Sequence, residues 1–204
     1  EHSGKLATVL SGSIGFHHVS EDALSSVNDI RKVTVGPIRH DHATYLAECL
    51  LLGANVASTD RHGVAESVAA AAENVPYYIQ HLVAAAAREG SVKPDRIAEL
   101  LAAAITDPHD PWDLRHYRDR LRNYYGEDAP AIAGLLDIYA HAPAPLGVDA
   151  TLQFLQTEGS PIRDRDQLVS FIERLEQDHY LRRVSDDDCF ASGLVQSAWR
   201  AMRR

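Results

Sequence analysis

The chain has 204 residues, of which 45% are hydrophobic and 24% charged. This composition is typical of globular proteins and excludes disordered, collagen-like and disulfide-dense chains. The formal net charge of −9 argues against coating of nucleic acid or anionic lipid by bulk charge. The most apolar stretch, 74–87, contains a proline, a glutamine and a histidine, so the sequence predicts no membrane span and no membrane partner.

Cysteine usage indicates a reducing compartment. Cys49 and Cys189 stand far apart in apolar surroundings, and cytosolic proteins rarely keep disulfides. We therefore expect two buried free thiols and a cytoplasmic protein. The N-terminus carries neither a signal-peptide pattern nor an initiator methionine, so we expect the chain to be a piece of a longer one.

The first segment predicts a buried strand. Residues 5–10 are mostly apolar and run into a Gly/Ser turn at 11–15, as parallel strands do in α/β proteins. A second extended run at 32–35 stops at Gly36 and Pro37. Because these short runs cannot form a sheet alone, the remaining strands are expected upstream of the chain.

After Pro37 the apolar residues recur at helical spacing. Pro76 is expected at the first position of a helix, where its missing N–H costs nothing. A loop is predicted at 107–111 and a linker at 142–145, both from their composition. Helices are predicted at 42–52, around 64–71, from Pro76, after 93–95, over 112–125 and over 129–141.

The last sixty or so residues predict a winged helix, which is a variant of the helix-turn-helix. One helix covers 148–156, and a second is capped by Asp164 or Asp166 and carries an apolar stripe. The remaining predicted elements are a strand at 180–184, an acidic solvated turn at 186–188, a returning strand at 189–191 and a helix at 192–203.

The order of these motifs resembles the C-terminal half of a P-loop ATPase of the AAA+/STAND group with a winged-helix tail. The match consists of the strand with its Gly/Ser turn, the Gly-Pro-Ile segment at 36–38, the helices, the run 74–82 and the winged helix. The resemblance implies a mainly α chain with three parts. These are the end of an α/β ATPase core (1–39), a helical lid bundle (40–142) and a winged-helix domain (146–204).

The same resemblance implies nucleotide-contacting residues. In this family a core strand ends in a polar residue near the γ-phosphate, which corresponds here to Ser11 or Ser13. The lid helix begins with a Gly-x-Pro motif whose proline lies near the adenine, and here Asn74 replaces the glycine and Pro76 is the proline. The alternatives are small residues in a tight turn and an ordinary helix-starting proline.

The chain lacks the catalytic half of such an ATPase. A P-loop needs G-x-x-x-x-G-K-[ST], whose backbone cradles the phosphates and whose hydroxyl holds Mg²⁺. Gly4 and Lys5 are followed by Leu6, and no earlier glycine is available. We therefore expect no catalytic residue here, and ATP with Mg²⁺ only in an intact protein that also contains the missing N-terminal ATPase half.

Two other functions stay open at this stage. One is an adaptor or transcription regulator that uses the winged helix, with an exposed apolar patch at Trp112 or Trp199. The other, less favoured, is an HD-type metal phosphohydrolase built on His17, His40, Asp41 and Asp107. His-x-His places its side chains about 200° apart on a helix, so we expect no metal there.

The predicted recognition helix, 164–178, is net acidic, which suits a groove lined by phosphates poorly. We therefore expect a protein partner for the winged helix, with DNA disfavoured.

Overall fold

The computed structural model of the protein describes residues 18, 33 and 35–203. The described chain is mainly helical with a small two-stranded sheet, which confirms the predicted mainly α class. The helices are α1 (His40–Gly53), α2 (Arg61–Ala71), α3 (Pro76–Glu89), α4 (Arg96–Thr106), α5 (His116–Tyr125), α6 (Ala129–His141), α7 (Val148–Thr157), α8 (Arg165–Gln177) and α9 (Gly193–Met202), and the strands are β1 (Leu181–Val184) and β2 (Asp187–Phe190).

The first hydrophobic core is a bundle formed by α1 to α4. Alanine and valine line the contact between α1 and α2, and small side chains allow two helices to approach closely. Asp60 caps α2 by accepting the backbone N–H of Gly63 at 2.9 Å, and Pro76 opens α3 at its first turn, as predicted.

The second core joins α5 to α8 with the β1–β2 hairpin. The predicted apolar stripe of α8 is confirmed, because Leu168, Phe171, Ile172 and Leu175 are all buried. Asp164 is the N-cap of this helix, and its side chain accepts the N–H of Asp166 at 3.3 Å.

Helix α9 belongs to both cores. Leu194 and Ala198 pack in the first core, while Val195 and Trp199 pack in the second. These pairs stand at i and i+4 on adjacent faces of one helix, so each face buries against a different unit. A movement of α9 would therefore change the packing of both cores.

The hairpin is antiparallel, with Leu181 opposite Phe190 and Val184 opposite Asp187. Leu146, just before α7, bridges to Asp188 on β2 through backbone hydrogen bonds of 2.9 Å in both directions. The expectation of a solvated acidic turn at 186–188 is wrong in part. Asp187 and Asp188 lie in β2, and Asp188 is 1% exposed.

Other expectations need correction. The helix expected over 112–125 begins at His116, since Asp110 and Asp113 have positive φ values of 49° and 53° that break a helix. Cys49 is exposed and Cys189 half-buried, both as free thiols, because Cys49 lies on the outer face of α1. Of the extended run expected at 32–35, Val33 and Val35 are described and both are exposed, and the strand expected at 5–10 lies outside the described residues.

In the part of the chain that the structure describes, the helices are too short or too polar to cross a membrane.

Candidate functional site

The predicted adenine-contacting turn connects α2 to α3. The N–H of Glu73 donates to the carbonyl of Ala70 at 3.0 Å, and the N–H of Asn74 donates to the carbonyl of Ala69 at 2.9 Å. This pair of bonds is a Schellman motif, which satisfies the last carbonyls of α2. The chain then turns sharply and enters α3 at Pro76.

Asn74 adopts the left-handed conformation, with φ of 60°. Glycine enters this region without steric cost, and among side-chain-bearing residues asparagine enters it most readily. The left-handed backbone at position 74 is therefore one that both asparagine and glycine can adopt.

The backbone carbonyl and the side-chain oxygen of Asn74 both contact the segment at the start of α1. Its backbone carbonyl accepts the N–H of Ile38 at 3.1 Å, and its Oδ1 lies 2.9 Å from Nδ1 of His40. The 36–38 segment is thereby fixed against the turn. The two motifs that carry the resemblance on the described residues, Gly-Pro-Ile and Asn-Val-Pro, are thus in direct contact.

The tyrosines after Pro76 have packing roles. Tyr78 is buried, its hydroxyl lies 3.1 Å from that of Tyr117, and burial raises its pKa well above the usual range. Tyr77 is 46% exposed and donates its hydroxyl to the carbonyl of Trp112 at 3.1 Å. Pro76 itself is half-buried.

This arrangement offers contact surface rather than catalysis. Pro76 presents an apolar ring beside the turn, and the backbone N–H, the backbone carbonyl and Oδ1 of Asn74 are already engaged. Neither a nucleophile nor an acid–base pair is assembled at the turn by the described residues. Ser11 and Ser13, the predicted phosphate-sensing residues, lie outside the described chain, so their position relative to Pro76 stays a prediction.

Among the described residues, no group of three or more histidine, cysteine, aspartate or glutamate side chains is placed to hold a metal ion. His40 contacts Asn74, Asp41 pairs with Arg39 at 3.0 Å, and Asp107 lies 3.1 Å from His109. His17 lies outside the described chain.

Both arginines of helix α8 are paired with acidic side chains at the surface. The Arg174 guanidinium lies 4.6 Å from the ring centre of Tyr125 and 3.7 Å from Asp128, while Arg165 pairs with Asp149 at 3.3 Å. The outer face of α8 therefore has little basic charge to offer to a phosphate backbone.

A groove of about 480 Å³ lies between the end of α4, the following loop and α9, away from the Asn74–Pro76 turn. Two charged side chains that line it, Asp110 and Arg115, form hydrogen bonds to the backbone of the same loop. Asp110 accepts the backbone N–H groups of Leu114 and Arg115 at 2.8 Å, and the guanidinium of Arg115 donates to the carbonyl of Pro108 at 2.7 Å.

Two long-range contacts have no signal in the sequence. Glu73 Oε1 accepts the backbone N–H of Leu194 on α9 at 2.9 Å. His18 Nε2 lies 2.6 Å from Asp178 Oδ2, which also accepts the hydroxyl of Tyr125 at 2.5 Å. Both contacts join residues more than a hundred positions apart, so no local pattern could reveal them.

Comparison of the chain with models of protein families, with curated proteins and with solved structures gave no match. The functional interpretation below therefore depends on the site's own geometry and on the resemblance of its motifs.

Proposed function

We propose that this chain is the C-terminal part of a nucleotide-dependent ATPase switch of the AAA+/STAND type. It would supply the helical lid, which contacts the adenine, and a winged-helix unit that signals to a protein partner. Catalysis would come from a P-loop half that the chain lacks. ATP would act by binding one arrangement of the lid better than another, because only differential affinity shifts a population.

The observation that carries this proposal is the left-handed Asn74. The resembled motif has a glycine two positions before a proline. Here Asn74 has φ of 60°, a conformation that glycine adopts freely, and Pro76 opens α3. The bond between Ile38 and Asn74 adds the second motif of the resemblance to the same surface.

The order of elements in the second core supports a winged helix. Helix α6 is followed by the short extended segment at Leu146, by α7 and α8, and then by the β1–β2 hairpin. Leu146, which precedes α7, pairs with β2 as an antiparallel bridge, so a third short extended segment lies beside the hairpin. A helix pair followed by such a hairpin is the arrangement that the sequence predicted.

A protein partner fits this unit better than DNA. On α8 the basic side chains Arg165 and Arg174 are paired with Asp149 and Asp128. In the hairpin Arg183 is paired with Glu176 at 3.3 Å. A helix that enters a DNA groove needs free positive charge instead.

The proposal is tested by titrating a fluorescent ATP analogue into the complete product of the gene that encodes this chain. Pro76→Ala should weaken binding by about three- to tenfold, because apolar contact with the adenine is lost. Asn74→Gly should leave the affinity within about twofold, because glycine adopts the same φ. Asn74→Val should weaken binding, because a β-branched residue resists positive φ.

Pro130→Ala is the control, since Pro130 also lies in the first turn of a helix, α6, but is exposed and lies away from the Asn74–Pro76 turn. Circular dichroism of each variant checks that the fold is retained. A gene product without a P-loop, or equal affinities for the wild type, Pro76→Ala and Asn74→Val, would contradict the proposal.

An adaptor that binds no nucleotide is the second candidate. The apolar patch expected at Trp112 or Trp199 is not there, because both tryptophans are buried. However, α1 exposes Tyr45 and Leu52, which are 68% and 59% exposed, and α7 exposes Phe154. An adaptor would bind its partner equally well with and without ATP, which separates the two candidates.

A further inference from the structure

Glu73 connects the proposed nucleotide turn to α9. Its backbone forms the turn immediately before Asn74, and its Oε1 accepts the N–H of Leu194 at 2.9 Å. Ser192, the N-cap of α9, accepts the N–H of Val195 at 3.1 Å. A carboxylate at this place satisfies a free N–H and interacts favourably with the helix dipole. Glu73 therefore completes the cap of a helix that lies 121 positions further along the chain.

The backbone at Glu73 makes glutamate a costly choice. Glu73 is the residue of the Schellman motif that is usually glycine, and its φ is 51°. Left-handed backbone is unfavourable for a residue with a Cβ, whereas glycine would form the same turn freely. A strained residue persists where something else requires it, and here the side chain has a specific partner on α9. We therefore attribute the presence of glutamate at position 73 to its carboxylate, which accepts the N–H of Leu194.

The partner side of the contact is adapted to it. Residue 193, the first of α9, is glycine, and a Cβ built there would lie 3.0 Å from Glu73 Oε1. Any larger residue at 193 would press on the carboxylate. The side chain at position 73 and the missing side chain at position 193 thus fit each other.

We infer that Glu73 transmits nucleotide occupancy from the Asn74–Pro76 turn to α9, an inference that rests on the proposed nucleotide site. Adenine binding against Pro76 shifts the turn, the shift moves the Glu73 carboxylate, and the cap of α9 tightens or loosens. Because Leu194 packs in one core and Val195 in the other, the start of α9 acts on both. Coupling of this kind is reciprocal, so loosening the cap also changes the affinity for the nucleotide.

Hydrogen–deuterium exchange of the complete gene product, with and without ATP, tests the inference. In the wild type, ATP should change the exchange of the amides at 193–197. In Glu73→Ala these amides should exchange about tenfold faster without ATP, since a hydrogen bond to a charged group is lost, and the response to ATP should disappear. Glu73→Gln keeps an acceptor oxygen and should retain part of the response.

Gly193→Ala is the second variant. Alanine is a good helix former, so α9 should remain folded while its Cβ presses on the end of the Glu73 side chain, and the ATP response should be weakened. Glu66→Ala, on the exposed face of α2, is the control and should respond as the wild type does.

The outcomes separate the two proposals. If ATP binds with Pro76-dependent affinity but leaves the exchange at 193–197 unchanged, the transmission role is overturned and the nucleotide site stands. The role is also overturned if Glu73→Ala and Gly193→Ala respond to ATP as the wild type does. If the gene product binds no nucleotide, the proposed function fails and this inference fails with it.

Discussion

At the scale of single residues, Asp188 is a buried carboxylate whose loss of hydration is only partly offset by contacts within the protein. It is 1% exposed, and neither of its oxygens has a hydrogen-bond partner among the described residues. Arg183 Nε lies 3.5 Å from Oδ1, but Arg183 is also paired with Glu176. Burial raises the pKa of Asp188, and the attraction to Arg183 opposes that rise. Since an ionised group in this place is unfavourable, Asp188 costs stability at neutral pH.

We expect Asp188→Asn to increase the free energy of unfolding by about 1 kcal/mol at pH 7.5, because the buried charge is removed while the backbone bonds to Leu146 remain. The folded-state pKa of Asp188 lies above the unfolded value of about 3.9. The folded state therefore binds more protons between these values, and wild-type stability falls as the pH rises through that window.

Urea unfolding at pH 7.5 and at pH 3.5 checks this prediction. The advantage of Asp188→Asn should shrink at the lower pH, where Asp188 is protonated in both states. Asp186→Asn, at the exposed tip of the same hairpin, should change stability by less than about 0.5 kcal/mol. A destabilised Asp188→Asn would show that the ion pair with Arg183 outweighs the cost of burial.

At the scale of elements, His62 joins α1 to α2 on the surface. Its Nδ1 lies 2.6 Å from Glu48 Oε1 on α1, and its Nε2 lies 3.6 Å from Glu66 Oε1 one turn further along α2. The hydrogen bond to Glu48 raises the pKa of His62 above 6.5, and the charge of Glu66 adds to the rise. The protonated ring therefore bridges carboxylates on both helices.

A pH titration of His62 by NMR should give a pKa above 6.5, with a decrease in Glu48→Gln and a smaller decrease in Glu66→Gln. The raised folded pKa means that the stabilisation is fully present below the unfolded pKa of about 6.5 and is lost as the pH rises through the folded value. The melting temperature of His62→Gln should therefore be below that of the wild type at pH 5.5 and should match it at pH 8.5. A difference that is constant across this range would argue against the bridge.

The sequence predicted elements better than it predicted their contacts. The stripe of α8, the proline at the start of α3 and the acidic cap at Asp164 depend on residues close in the chain, and all three are confirmed. The late start of α5 was missed, because Asp113 at positive φ follows from tertiary packing around the buried Trp112. The burial of Asp188 was missed because it arises where β2 packs in the folded unit, beside Arg183 of β1 and Glu176 of α8.

The candidate site follows the same pattern. The helix start at Pro76 depends on local sequence and was predicted, whereas the nucleotide-contacting role of Asn74 and Pro76 stays a prediction. The roles of Ile38 and His40 in holding the turn depend on the packing of α1 beside α2, and the Glu73 contact depends on α9. No short-range pattern contains these relationships.

At the scale of the whole molecule, His18 contacts residues of the second core that are more than a hundred positions away in the sequence. Its ring lies about 5 Å from the rings of Tyr124 and Tyr125, and its Nε2 is 2.6 Å from Asp178 Oδ2. The side chains of His18 and Asp178 are 7% and 0% exposed. Asp178 follows the last residue of α8, so this contact connects His18 to the second core.

A double-mutant cycle with His18→Ala and Asp178→Asn should give a coupling energy of about 1 to 3 kcal/mol in urea unfolding, because the pair is buried. The control cycle uses His116 and Asp113, an exposed pair at 4.0 Å, and should give less than about 0.5 kcal/mol. Equal coupling energies in the two cycles would contradict a stabilising role for the buried His18–Asp178 pair.

The proposal as a whole places ATP between a P-loop half and the Asn74–Pro76 turn, with Glu73 transmitting nucleotide occupancy to α9. The most direct measurement is photo-crosslinking of the complete gene product with an azido-adenine analogue of ATP, followed by identification of the labelled peptide. The account predicts that label on this chain falls within 74–81 and that excess ATP prevents it. Label confined to other parts of this chain, or label that ATP does not prevent, would contradict the account.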